Sequence, residues 1–420
     1  MKQSACLMAI AALCVFLLAS TSVFAAKKSV KEMSMSVFKF GAKGDGVTDD
    51  TAAFQKALTA AGNAGGGVVS VPAGKYMIKG HLDFPDRVTM EGVSKAPNNG
   101  RPPSGSVLLA VEGRGNADGP PFIFLHTDCT LKGMTIHYPE QGTKNLKPYP
   151  WTVRGCGDNM SIIDVQMINP WQAVDFGTHP SGRHLIKGLY GWPMYKGIFI
   201  DKCFDVGRIE DVHFWPFGGM DDEVGPFVWK NGEAFIIGKT DWEYMSNCFS
   251  IAYKVGYHFI RTEAGNANVV LTQCGADTGP TSVLVDDCQG HAGISFLNGQ
   301  FQAGVVIKDT NTGPVKFTNC GFWGVGTTDS HIKLAGSGQL TLNSCHFIDW
   351  DQEDVTGAPA IYAESGNLIV NACDFMDGKN QIYLGPKVES AVIMGNRLRG
   401  GEKIKNESKG DVQIGLNVKQ

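Results

Sequence analysis

The sequence predicts an all-β fold, a right-handed parallel β-helix, and three observations predict it. A strand-like hexapeptide recurs along most of the chain at a near-constant interval. A second apolar pentapeptide recurs between its copies at the same interval. The composition is rich in glycine (53 of 420 residues) and modest in charge (19%), which suits many short strands and turns better than helical bundles.

The first ladder reads LKGMTI, IIDVQM, IKGLYG, IEDVHF, MSNCFS, LTQCGA, FLNGQF, FTNCGF, LNSCHF, VNACDF and IMGNRL. It is registered on Met134, Val165, Leu189, Val212, Cys248, Cys274, Gly299, Cys320, Cys345, Cys373 and Asn396. The spacing is roughly two dozen residues, the length of one coil of a repeat architecture. The second ladder reads AVDFG, GIFID, AFIIG, YHFIR, SVLVD, GVVIK, HIKLA, AIYAE and QIYLG, starting at Ala173, Gly197, Ala234, Tyr257, Ser282, Gly304, His331, Ala360 and Gln381. Side chains alternate along a strand, so its second and fourth residues share a face. Val174/Phe176, Ile198/Ile200, Val283/Val285 and Ile382/Leu384 make that face apolar. A single coil cannot bury it; stacked coils can.

The first 25 residues are read as a signal peptide. Lys2 supplies the positive start, Ala5 to Leu18 the apolar stretch, and Val23-Phe24-Ala25 the cleavage context. The stretch is short for a membrane span, so the expected location is secreted or periplasmic. Residues 26–420 are expected to form one β-helix domain, with an opening segment over 36–80 and coils over about 85–420. The formal net charge is −4, with no basic stripe, which argues against a nucleic-acid partner, and no membrane partner is expected. Of 11 cysteines, Cys6 and Cys14 fall in the leader. Cys248, Cys274, Cys320, Cys345 and Cys373 are expected to stack inside as small apolar thiols.

Residues 37–78 carry the most specific local pattern. Val37-Phe38-Lys39-Phe40 alternates, and Gly41 to Gly46 is a turn-rich loop. Thr48-Asp49-Asp50-Thr51 suits a helix start. Phe54, Ala57, Leu58 and Ala61 form one apolar helix face. Gly65-Gly66-Gly67 ends the helix, and Val68 to Val71 returns to a strand. Asp45, Asp49 and Asp50 are read as turn and cap residues. The stretch FGAKGDGVTDDTAAFQKAL…GGGVVSVPAGKYMI resembles the opening of pectate-lyase-like β-helix proteins. That group includes rhamnogalacturonases, polygalacturonases, alginate epimerases and phage tailspike depolymerases. The resemblance implies the solenoid, a helix over its open N-terminal end, and a polysaccharide partner lying along the outside.

Both ladders lengthen by about half a coil at one place, Trp215 to Gly232. The insertion sets Trp215 and Trp229 around Asp221, Asp222 and Glu223. Aromatic faces suit sugar rings, and paired carboxylates suit glycoside hydrolysis. Downstream, Asp241-Trp242-Glu243-Tyr244, if extended, puts Asp241 and Glu243 on one side. Glu233 precedes a second-ladder strand, with Lys196 one coil earlier. A further column, Gly177, Asp201, Gly238, Arg261, Asp286 and Lys308, alternates in charge. The residues preceding the strands, Gln172, Lys196, Glu233, Gly256 and Thr281, lack the aspartate trio that polygalacturonase chemistry would imply.

These residues give the leading expectation, a glycoside hydrolase. Asp221, Asp222, Glu223, Glu233, Asp241 and Glu243 are its candidate acids, and Trp215, Trp229, Trp242 and Tyr244 line the sugar path. The alternatives are a Ca²⁺-dependent lyase with Lys196 or Arg261 as base, and a non-catalytic glycan-binding β-helix. No His or Cys spacing reads as a metal site, and no cofactor is called beyond possible Ca²⁺ in the lyase.

Overall fold

The computed structural model describes residues 35–97, 102–216, 220, 222–324, 329–353 and 356–420. The leader, Asp221 and part of the insertion lie outside the described residues. Met35–Gln420 forms one compact unit, an all-β parallel solenoid of about 14 turns. Among the described residues no helix is long and apolar enough to cross a membrane.

Every strand pairing is parallel, and the strands stack in three columns. One row of the first column runs Thr130, Ser161, Leu185, Arg208, Tyr244, Val270, Ser295 and Lys316. One row of the second runs Thr135, Gln166, Tyr190, His213, Phe249, Gly275, Gln300 and Gly321. One row of the third runs Arg154, Asp175, Phe199, Ile236, His258, Leu284, Val306, Lys333, Tyr362, Tyr383 and Lys405.

The hexapeptide ladder is therefore two columns that meet at a corner, not one. The corner is a single residue with positive φ: Gly133, Asp164, Gly188, Asp211, Asn247, Gln273, Asn298, Asn319, Ser344, Ala372 and Gly395 in successive coils. One left-handed residue turns the chain, and Asn and Asp tolerate that conformation because their side chains bond locally. They also bond between coils. Asn247 Nδ2 donates to Asp211 Oδ1 at 3.0 Å, and Asn319 Nδ2 to Asn298 Oδ1 at 2.8 Å.

The interior is the stacked inner face of all three columns. Phe296 lies on Phe317 at 4.9 Å, Phe322 on Phe347 at 4.9 Å and Phe347 on Phe375 at 4.8 Å, all nearly parallel. The cysteine column is buried, and the nine described cysteines are free thiols. Each thiol of the column donates to a backbone carbonyl nearby, as Cys345 does to Phe317 O at 3.5 Å, so its burial leaves no thiol unmet.

A helix over Thr51–Asn63 buries Ala53, Phe54, Ala57, Leu58 and Ala61. It packs on the strands Gly67–Ser70 and Leu82–Phe84. Asp50 is buried and accepts from the backbone N–H groups of Lys43 and Gly44, at 2.7 and 3.0 Å. Asp45 and Asp49 accept from neighbouring Thr48 and Thr51. All three aspartates therefore hold local turns. Gly66, at φ +117, lies so close to Arg87 O that a Cβ would sit at 2.8 Å.

A second helix, Val224–Asn231, occupies the insertion between the second-column strand His213–Phe214 and the third-column strand Glu233–Ile237. Phe227 turns inward from it onto Trp171, ring centroids 4.9 Å apart, and Tyr195 at 6.4 Å. The insertion thus rises beside the third column.

Candidate functional site

The outer face of the third column collects chemistry that the strand pattern alone dictates. Phe235 and Ile237 point inward, as do Tyr257 and Phe259 in the next coil, all fully buried. Alternation then forces His258 outward. Glu233 lies one coil before it, and Asp286, the residue after the strand Thr281–Val285, one coil beyond.

The imidazole bridges the two carboxylates. His258 Nδ1 is 3.2 Å from Glu233 Oε2, and Nε2 is 3.2 Å from Asp286 Oδ2. Lys308 Nζ reaches Asp286 Oδ1 at 2.5 Å. Lys196 pairs in register with Glu233, its ammonium 5.2 Å from the Tyr195 ring centroid. The three central side chains are shielded but reachable, between 13% and 27% exposed.

Electrostatics assign their charges. Burial by itself would push the His258 imidazole down, but hydrogen bonds to Asp286 and Glu233, and their charges, outweigh it and lift its pKa to about 9. Burial would likewise raise Glu233, yet His258, Lys254 and Lys196 hold it below its ordinary value. Asp286 follows the same logic, with His258 and Lys308 overcoming its burial. Near neutrality the cluster is an imidazolium between two carboxylates, flanked by lysines.

The sequence candidates divide sharply. Glu233 and Lys196 fall in this cluster. Asp222 and Glu223 do not: they tie the insertion to a neighbouring loop. Asp222 accepts from Thr143 Oγ1 at 3.0 Å and pairs with Lys144 at 3.0 Å. These contacts, Lys144 first, lower its pKa. Glu223 Oε2 accepts from Asn145 N at 2.6 Å. Asp221 lies outside the described residues.

The expectation that Asp241 and Glu243 share a face fails. Asp241 is exposed and pairs with Lys239, whereas Glu243 is buried inside the solenoid against His184. The reason is a register irregularity between Cys203 and Val206 in the strand beneath, which breaks simple alternation. Trp242 and Tyr244 are exposed, but on the first column, a different face.

Trp215 stands edge-on to His213 at 5.6 Å and Trp229 is exposed on the insertion helix. Arg261 is one residue past the charged column. Ile260, not Arg261, matches Gly238, because Phe235 pairs with Tyr257. Arg261 instead pairs with Asp287 at 3.1 Å. The same one-residue slip hides His258 in the sequence: a strand registered on Tyr257 turns His258 inward, and one registered on Gly256 exposes it.

Residues 34–101 match the family model described as rhamnogalacturonase A/epimerase, pectate lyase-like. Mannuronan C5-epimerase AlgE1 of Azotobacter vinelandii is 58% identical over 48 residues, 11% of this chain and 3% of the relative. Alginate lyase 7 of the same organism is 56% identical over 48 residues, 11% of this chain and 6% of the relative. The pre-neck appendage protein of Bacillus phage phi29 is 39% identical over 66 residues, 16% and 7% of the two chains. The chain therefore matches only a small part of each curated relative's length.

Among solved structures, the A-module of the Azotobacter vinelandii epimerase AlgE6 superposes with a TM-score of 0.58 at 15% identity, over 92% of this chain and 99% of that one. The N-terminal fragment of bacteriophage phi29 gene product 12 gives 0.65 at 15% identity, over 96% and 73%. The stacked columns and these superpositions agree on a parallel β-helix fold, and the opening segment is similar to the pectate-lyase-like family model.

Proposed function

We propose that this protein is a polysaccharide-modifying enzyme whose polymer lies across the coils on the third-column face, with Glu233, His258 and Asp286 as its reacting groups. The observation that carries the reading is the His258 imidazolium held between two carboxylates on an outward, partly shielded surface. Polysaccharide-acting relatives over the opening segment support the substrate class.

The charges favour an anionic polymer. Lys196, Lys254 and Lys308 surround the cluster, and the same face continues to Lys333, Tyr362, Tyr383 and Lys405. Tyr362 and Tyr383 stack at 4.8 Å, the first exposed and the second half-buried, a platform for sugar rings.

The charges also favour proton abstraction over hydrolysis. A glycosidase's acid is a carboxyl group whose pKa is raised, and both carboxylates here are lowered. In β-elimination on a uronate, one of these carboxylates takes the proton from the carbon beside the sugar's carboxyl group. The lysines neutralise that carboxyl group, and the carbon–oxygen bond to the leaving sugar breaks as the imidazolium supplies its proton. The product is a new chain end bearing a carbon–carbon double bond.

One geometric fact keeps hydrolysis as a second reading. The imidazole holds the two carboxylates apart on opposite nitrogens, and inverting glycosidases likewise use two separated carboxyl groups. Incubating the full chain with uronate and neutral polysaccharides, and following ultraviolet absorbance and reducing ends together, separates the two. Both signals rising on uronate polymers is the expected result. Reducing ends without absorbance would move the assignment to hydrolysis, and neither signal on any polymer would count against a cleaving enzyme.

A further inference from the structure

The solenoid interior holds a second cluster that the exterior site does not use. His184 lies just before the first-column strand Leu185–Gly191, Cys203 opens the strand Cys203–Glu210, and Glu243 sits within Thr240–Ser246. Three successive coils thus bring the three residues together. All are buried, with ligand-capable atoms within 4.8 Å of one another.

The local hydrogen bonding is incomplete in an informative way. His184 Nδ1 is 3.2 Å from the Ser181 carbonyl oxygen. A carbonyl only accepts, so Nδ1 carries the hydrogen. Nε2 faces Glu243 Oε1 at 3.0 Å, and two lone pairs cannot meet there without a proton or a cation. Glu243 Oε2 is buried with no hydrogen-bond partner, a costly state for a carboxylate oxygen.

The chain makes room for these groups. Gly207 stands in register between His184 and Glu243, where a Cβ would lie 2.1 Å from Glu243 Oε2 and 2.6 Å from His184 Nε2.

We propose that His184 Nε2, the Cys203 thiolate and the Glu243 carboxylate hold a divalent transition-metal ion of the zinc type inside the solenoid. Nitrogen, sulfur and oxygen donors together suit Zn²⁺ and Co²⁺. The Ser181 carbonyl orients the imidazole as acceptors behind metal-bound histidines do. The ion's two positive charges would offset a thiolate and a carboxylate. The ion ties three coils together from within and satisfies Oε2. Buried as it is, it serves stability and not the surface chemistry.

The test is to express the full chain in Co²⁺-supplemented medium and measure bound metal and the absorption spectrum. About one equivalent of cobalt and a thiolate-to-cobalt charge-transfer band are expected. Both are lost in Cys203→Ser and in His184→Gln, and both are kept in Cys248→Ser, a buried thiol of another column. The two losing variants are read independently, so a folding failure in one leaves the other to decide. Absence of metal in the wild type, or a band that survives either Cys203→Ser or His184→Gln, overturns the proposal.

Discussion

His258 is where one side chain sets the behaviour of its neighbours. Replacing it with alanine removes the proposed proton donor and unpairs two carboxylates. Turnover should fall about 100- to 10,000-fold, read as initial rate on whichever polymer the wild type cleaves. The same residue predicts a pH profile of stability. Its folded pKa, about 9, lies above the ordinary value of about 6.5. Its contribution is therefore complete below about pH 6.5 and is lost as pH rises through 9. Glu233 and Asp286 are lowered, so theirs is present above the ordinary carboxylate range and lost as pH falls. The difference in melting temperature between wild type and His258→Gln should peak near about pH 6 and shrink toward about pH 9–10. A difference that grows with alkaline pH would contradict the charge assignment. Inside the solenoid, Gly207→Ala should cost about 1–3 kcal/mol or more in chemical denaturation, since its Cβ would collide with Glu243 and His184.

At the scale of elements, the insertion and the strand frame explain what the sequence made visible and what it hid. The lengthened coil was legible because both ladders stretch at the same place, and a helix does stand there. Its acids are tethers: Asp222 and Glu223 hold residues 143–145. Asp222→Ala and Glu223→Ala should then lower turnover only several-fold, whereas Glu233→Gln should lower it by about 100-fold or more. Equal losses would restore the insertion acids as the reacting pair. The corner between the first two columns was hidden because one αL residue leaves no mark in hydrophobic periodicity. His258 was hidden by a one-residue slip, which moves every side chain of a strand to the other face. The burial of Glu243 follows from a local irregularity in the neighbouring strand, which no spacing rule exposes.

Across the whole molecule, the repeat itself was the most readable feature, since each coil must bury its inner face against the next. What stacking also does, and what linear spacing cannot display, is bring together side chains from separate coils: Glu233 with His258 and Asp286 outside, His184 with Cys203 and Glu243 inside. The chain is slightly acidic overall, at −4, yet the third-column face carries a succession of lysines from Lys196 to Lys405. Affinity for an anionic polymer should therefore weaken as salt rises past about 0.1 M, where the screening length is about 10 Å, and a neutral polymer should show no such dependence. The deciding measurement compares cleavage of an anionic polysaccharide by the wild type, His258→Ala and Trp242→Ala, the last altering an exposed aromatic on the first column. His258→Ala should lower product formation at least about 100-fold while Trp242→Ala matches the wild type. Wild-type turnover by His258→Ala, with loss in Trp242→Ala, would contradict this placement and move the site to the first-column face.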